Sequence, residues 1–151
     1  MTTPLLFDLE LSCSPTHAFE TWTTRASHWW PKGHTVTGDG NTAVVFEPRQ
    51  GGRVFERAPD GTEHDWGRIS VWDPPGRLVY TWHIGADASS ETEVEIRFDP
   101  GPDGTTFVRI EHRGWAALGA AADARRTLNT QGWGALLPAF RAGCTASTPG
   151  T

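Results

Sequence analysis

Apolar and polar residues alternate in the segment LLFDLEL, residues 5–11. A period of two predicts a strand with one buried face. Ser14 follows where a helix N-cap is expected, and Pro15 stands at the first helical position, so a helix is predicted to begin there. A second short helix is predicted over residues 25–30, because Pro31 disfavours helical backbone in the residue before it.

From about residue 43 to residue 112 the chain consists of short apolar-polar segments separated by turn residues. In TEVEIRFD, apolar residues face one side and charged residues the other, which is typical of a sheet with one solvated face. The turns have the composition and spacing of hairpins. We therefore predict six antiparallel strands in a meander, within TAVVFEP, GRVFER, HDWGRISVWD, RLVYTWHI, TEVEIRFD and TTFVRIEH.

A long C-terminal helix is predicted over residues 123–142, across the concave face of the sheet. Helical spacing relates four apolar residues in this segment, Trp133, Leu136, Leu137 and Phe140. Pro138 removes one backbone donor, and we expect it to kink the helix without ending it. Residues 144–151 lack periodicity, so the prediction is a single domain over residues 1–143 with a disordered tail.

Composition narrows the functional classes. The 151 residues carry a net charge of −5, which disfavours nucleic acid as a partner. The chain shows neither an apolar run long enough to span a membrane nor a secretory signal, so we expect a cytoplasmic protein without membrane insertion. The histidines lack the spacing typical of zinc ligands, and Cys13 and Cys144 are expected to be free thiols. We expect neither a metal nor another cofactor.

Several segments resemble a known family. EPRQGGRVFE, GRISVWDPPGRLVYTW, EVEIRFDP, TTFVRIEHRGW and GWGALLPAF are similar to successive signatures of the activator of heat-shock protein 90 ATPase homologue family, in the START-like (SRPBCC) superfamily. HWWP, and EH followed by Gly119, are also similar to the calicheamicin self-resistance type. The resemblance implies an α+β helix-grip fold, also called Bet v 1-like: a strand, two short helices, a six-stranded antiparallel meander and a long C-terminal helix.

A curved sheet closed by one helix leaves an elongated cavity unless large side chains fill it. The chain has eight tryptophans, and tryptophan suits both cores and ligand sites. Strand parity directs Tyr80, Trp82 and His112 inward. Trp29 and Trp30 could fill one end of the cavity or form part of its wall, and the pattern does not decide which ring faces it. The predicted ligand-binding residues are Trp29, Trp30, Tyr80, Trp82, Phe98, His112, Trp133 and Leu137, with an ordinary buried core as the alternative.

The leading hypothesis is binding of a hydrophobic or aromatic small molecule, such as a natural product that is sequestered for self-resistance. No catalytic residue is assigned under this hypothesis, and the protein is expected to be a monomer or a homodimer. Relatives of the wider fold imply a second class, polyketide cyclase or aromatase, in which His112 and Tyr80 would transfer protons. The family name implies a third class, a co-chaperone-like interaction protein.

Overall fold

The computed structural model describes residues 3–86 and 90–146, and its elements follow the predicted order. The first strand precedes two short helices, then six strands and the long helix, so the predicted helix-grip fold is confirmed. The elements are β1 (Leu5–Leu11), α1 (Pro15–Trp22), α2 (Ala26–Trp29), β2 (Ala43–Phe46), β3 (Arg53–Arg57), β4 (Glu63–Asp73), β5 (Arg77–Trp82), β6 (Thr92–Pro100), β7 (Thr106–Arg113) and α3 (Ala122–Ala146).

All seven strands form one antiparallel sheet in the order β1-β7-β6-β5-β4-β3-β2. The first strand closes onto the last one, with Leu5 opposite His112. Register shifts interrupt the pairing of β3 with β4 and of β4 with β5, and such bulges increase the local twist. At Gly67 on β4 a Cβ would overlap the Thr81 carbonyl of β5, so only glycine allows the two backbones to approach this closely.

The two short helices lie where the sequence predicts them. The Ser14 hydroxyl accepts a hydrogen bond from the His17 backbone N–H at 3.1 Å and caps α1. The Ser27 hydroxyl connects α2 to the edge strand β2, because it accepts from the Val44 N–H at 2.6 Å and donates to the Val44 carbonyl at 3.0 Å. Both helices are thereby fixed at one end of the sheet.

Helix α3 covers the inner face of the sheet. Its buried side chains recur at helical spacing, and α3 continues through Pro138, which does not end it. The helix extends past the predicted domain boundary at residue 143, and Cys144 is buried within it. Residues 147–151 of the predicted tail lie outside the described residues. Cys13 and Cys144 are free thiols, and Cys13 is only half-buried.

Candidate functional site

A cavity of about 260 Å³ lies between β5, the loop that follows α2, and the first half of α3. Its wall is mainly aromatic and aliphatic. Apart from Tyr80 on β5, the residues with polar side chains other than tryptophan come from the loop and the first turns of α3. The lining residues are Trp30, His34, Thr35, Tyr80, Trp82, Ile84, Arg125, Leu128, Asn129, Gly132, Trp133 and Leu136.

Four of the eight predicted ligand-binding residues line this cavity: Trp30, Tyr80, Trp82 and Trp133. The indole N–H of Trp30 donates to the His34 carbonyl at 2.9 Å. The indole N–H of Trp82 donates to Oδ1 of Asn129 at 3.1 Å, which ties β5 to α3. Because these N–H groups already have acceptors, the rings are held in fixed orientations.

The other four predicted residues do not line the cavity. Trp29 packs against Trp22 and Phe140 with ring centroids 5.0 and 5.3 Å apart, and its N–H donates to the Thr21 carbonyl. The tryptophan pair is therefore divided: Trp30 faces the cavity and Trp29 belongs to the core. The remaining three lie in or against the core, since Phe98 packs on Phe19, His112 is fully buried, and Leu137 is half-buried beside the core.

His112 lies behind the cavity wall in a chain of hydrogen bonds. Trp133 donates its N–H to Nδ1 of His112 at 3.0 Å. Because an indole can only donate, Nε2 carries the proton and donates to the Thr92 hydroxyl at 2.6 Å, which in turn donates to the Trp82 carbonyl at 3.2 Å. These hydrogen bonds join two residues of the cavity wall, Trp133 and Trp82.

The imidazole of His112 is held neutral. Burial, together with a smaller contribution from the positive charge of Arg125, lowers its pKa to about 3. Both ring nitrogens have partners within the protein, and no part of the ring lines the cavity. This arrangement suits a group that positions Trp133 and does not suit an acid or base acting on a molecule in the cavity.

Tyr80 has the only phenolic hydroxyl in the chain, and it lines the cavity. Burial raises its pKa well above the usual value, so the hydroxyl stays protonated. The Trp22 N–H lies close enough to oppose that rise slightly, yet this buried Nε1 makes no hydrogen bond within the described chain. Tyr80 can therefore offer a hydrogen bond, whereas proton abstraction by its phenolate is disfavoured.

The loop that supplies His34 and Thr35 is anchored by Glu56, which the sequence analysis missed. This carboxylate is fully buried on β3. It accepts from the backbone N–H groups of Val36 at 2.6 Å and Thr37 at 3.1 Å, and from the indole N–H of Trp66 at 2.8 Å. Charge-assisted bonds of this kind are strong, so Glu56 is a positioning residue for one side of the cavity.

The sequence analysis also missed the polar and small residues that α3 contributes. Arg125, Asn129 and Gly132 follow one another at the spacing of a single helix face, the face that carries Trp133 and Leu136. The Asn129 amide donates to the Arg125 carbonyl at 2.9 Å, which fixes the acceptor used by Trp82. Gly132 leaves open space, because a Cβ there would meet no atom within 4 Å.

Within residues 3–86 and 90–146, the His, Cys, Asp and Glu side chains form no group of three or more that could hold a metal ion. Among the helices in those ranges, none combines the length and the apolar character that a bilayer crossing requires.

Solved structures resemble the chain over nearly its whole length. An anthrahydroquino-γ-pyrone synthase, Txn09, is 31% identical, with 93% of this chain and 96% of that chain covered and a TM-score of 0.66. The self-sacrificing resistance protein CalC from Micromonospora echinospora is 24% identical, with 97% and 98% covered and a TM-score of 0.73. A protein from Arthrobacter aurescens is 14% identical, with 99% and 90% covered and a TM-score of 0.68.

No curated protein shows significant sequence similarity to the chain. The family model for the Activator of Hsp90 ATPase homolog 1-like protein matches residues 12–142. That range runs from the end of β1 to the last turns of α3 and includes the cavity. The chain therefore belongs to the Activator of Hsp90 ATPase homolog 1-like protein family.

Proposed function

We propose that the cavity binds an aromatic small molecule, with polyketide-type natural products as the ligand class. The observation that supports this most directly is the grouping of Trp30, Tyr80, Trp82 and Trp133 around space that other side chains leave unfilled. The likeness to a synthase of anthrahydroquinone pyrones adds support, because that protein is named for a multi-ring aromatic product.

The hydrogen bonds of the wall define how a ligand would be held. The N–H groups of Trp30, Trp82 and Trp133 are all engaged within the protein. These residues therefore offer ring faces and edges to a ligand, which favours a flat aromatic body. Leu128, 62% exposed at the rim, allows a larger molecule to extend out of the cavity. The cavity volume of about 260 Å³ is close to the lower end of the range for typical ligand sites, roughly 300–1,000 Å³. A compact fused-ring system therefore suits a cavity of this size.

The biological role that we infer is sequestration of such a compound in the cytoplasm, by a monomer or a homodimer. This role requires binding only, and it agrees with the fold shared with a resistance protein. The co-chaperone alternative has no observation in its favour beyond the family description.

Two glycines of α3 provide the test. Gly132 lines the cavity and Gly134 does not, and at both positions an added Cβ meets open space. Leucine favours helix over glycine by several tenths of a kcal/mol or more, so both Gly132→Leu and Gly134→Leu should fold. Binding is measured as saturable quenching of tryptophan fluorescence by a panel of flavonoids, anthraquinones, fatty acids and enediyne-like compounds.

We expect at least one aromatic compound to bind the wild type and Gly134→Leu equally. Gly132→Leu should weaken that binding by about tenfold or more, because its side chain would occupy the cavity and exclude the ligand. Equal binding by all three proteins would show that ligands bind elsewhere. A flat response to the whole panel by the wild type would remove the support for this function.

A second candidate, cyclisation of a polyketide-type chain, is favoured by the 31% identity to a synthase. His112 and Tyr80 are unsuited to proton transfer for the reasons given above. Catalysis in this cavity would therefore rest on holding a flexible chain in a reactive geometry. Mass spectrometry of any compound that binds, after incubation with the wild type and with Gly132→Leu, separates the two functions: a binder returns the compound unchanged.

A further inference from the structure

We propose that the ligand carries an anionic oxygen group, a carboxylate or an acidic phenol, that pairs with Arg125. This inference rests on the proposed function and specifies its ligand class. The aromatic body would lie among the tryptophans, and the anionic group would point to the first turns of α3.

Arg125 is the one arginine or lysine among the twelve lining residues, and none of the twelve is an aspartate or a glutamate. Arg125 is half-buried. Its one hydrogen bond within the described residues is a long contact of 3.4 Å from Nη2 to the Ser90 carbonyl, and no ion pair involves it there. A guanidinium has five N–H donors, so several remain available to a bidentate anion.

Several other arginines of the protein differ from Arg125, because they form ion pairs. On the outer face of the sheet, Arg77 and Arg113 pair with Glu95 at 2.7 Å. Arg53 pairs with Asp65, also at 2.7 Å. Their charges are compensated by side chains of the protein, whereas the described part of the chain places no carboxylate beside Arg125. An anionic ligand would supply a countercharge that the described residues do not.

The charge of Arg125 also acts inside the site. It contributes to the lowered pKa of His112, which lies behind Trp133. An acidic group bound nearer to Arg125 would experience the same charge, and the ionised form of that group would be stabilised. The chain as a whole carries −5, so its overall field repels anions and any preference for an anion must arise locally.

The experiment compares two ligands that differ in charge, 3-hydroxy-2-naphthoate and its methyl ester. Both are fused-ring fluorophores that accept energy from tryptophan, so one fluorescence titration measures both dissociation constants. The variants are Arg125→Gln, Arg125→Lys and Arg126→Gln. Arg126 is the matched control, since it neighbours Arg125 on α3, does not line the cavity, and binds the Thr3 carbonyl at 2.9 Å.

We expect the wild type to bind the acid more tightly than the ester. Arg125→Gln should weaken acid binding by about tenfold or more, as expected for a hydrogen bond to a charged group, and should change ester binding by less than about twofold. Arg125→Lys should restore part of the acid binding, and Arg126→Gln should match the wild type.

Equal binding of acid and ester by the wild type, or equal weakening of both by Arg125→Gln, would overturn the inference and leave the cavity as a binding site for neutral aromatics. If neither compound binds the wild type, the proposed function fails together with this inference. Binding of the neutral ester thus distinguishes failure of this inference from failure of the proposed function.

Discussion

The two ends of the protein interior use the same kind of residue for different purposes. At the closed end, Trp22, Trp29 and Phe140 contact one another with centroid distances of 4.8 to 5.3 Å. At the open end, Trp30 and Trp82 both pack on Trp66, with ring centroids 5.1 and 5.4 Å away, but their own rings are 6.1 Å apart and border the cavity.

The difference shows why aromatic content alone does not locate a ligand site. Rings at the closed end pack on one another between α1, α2 and α3. At the open end, the polar anchors Asn129 and His112 hold Trp82 and Trp133 in place. The cavity lies where the rings are held from one side and their other side borders unfilled space.

The largest expected effect is a difference in stability between tryptophan substitutions at the two ends. Trp22→Ala should lower the free energy of unfolding by about 3–5 kcal/mol, because a fully buried ring is removed from close packing. Trp82→Ala should lower it by less, since one side of that ring already borders unfilled space, but should abolish ligand quenching. Urea denaturation and fluorescence titration measure the two quantities.

Trp22→Phe is the control for this prediction. The Trp22 N–H has no acceptor within the described residues, so phenylalanine loses packing volume without losing a hydrogen bond and should recover much of the stability. Equal destabilisation by Trp22→Ala and Trp82→Ala would mean that the two ends are packed alike.

The second prediction is that acid lowers the free energy of unfolding through His112, which lies behind the cavity wall at the open end. The pKa of His112 falls from 6.5 to about 3 on folding, so between these values the unfolded state binds the extra proton. Stability is fully present above pH 6.5 and declines as pH falls, by about 1.4 kcal/mol per unit. From pH 6.5 to 4.5 we expect a loss of roughly 2–3 kcal/mol from this group.

His112→Gln should flatten that part of the pH profile. Glutamine keeps one acceptor for Trp133 and one donor for Thr92 but does not titrate. His34→Gln, at the exposed rim, is the matched control and should keep the wild-type slope. The measurement is urea denaturation at intervals between pH 7 and 4.5, above the range in which Glu95, with a pKa of about 2, contributes. A wild-type slope in His112→Gln would contradict the assigned burial.

Strand parity and helix spacing predicted the order of the elements and which side chains point inward, and the family resemblance implied the helix-grip fold. Tyr80 and Trp82 on β5 and Trp133 on α3 face the interior as expected. Parity does not state whether inward space is filled. Phe98 and Trp29 also point inward, yet neighbouring rings occupy the volume beside them, and those neighbours come from distant parts of the sequence.

Two missed residues did leave a signal. Glu56 shares the parity of Val54 on β3, so alternation could have indicated an inward carboxylate, although its backbone partners in the loop could not have been found this way. Arg125 stands eight residues before Trp133, on the same helix face. The loop residues His34 and Thr35 left no signal in the sequence. Their loop is held by the buried Glu56, which accepts from the next two backbone N–H groups, those of Val36 and Thr37.

The smallest expected effect tests how tightly the closed end is packed, and it should differ in sign between two glycines of α3. At Gly134 an added methyl group meets open space, so Gly134→Ala should raise the free energy of unfolding by up to about 1 kcal/mol through helix propensity. At Gly143 the same methyl group would lie 2.6 Å from Cβ of Trp29. Because the Trp29 ring is held by Phe140 and by its bond to Thr21, it cannot easily move, and Gly143→Ala should destabilise by about 1–3 kcal/mol. Thermal or urea denaturation of both variants measures the two changes in stability. Stabilisation by Gly143→Ala would show that the Trp29 side chain can move aside, and the closed end would then be as adaptable as the open one.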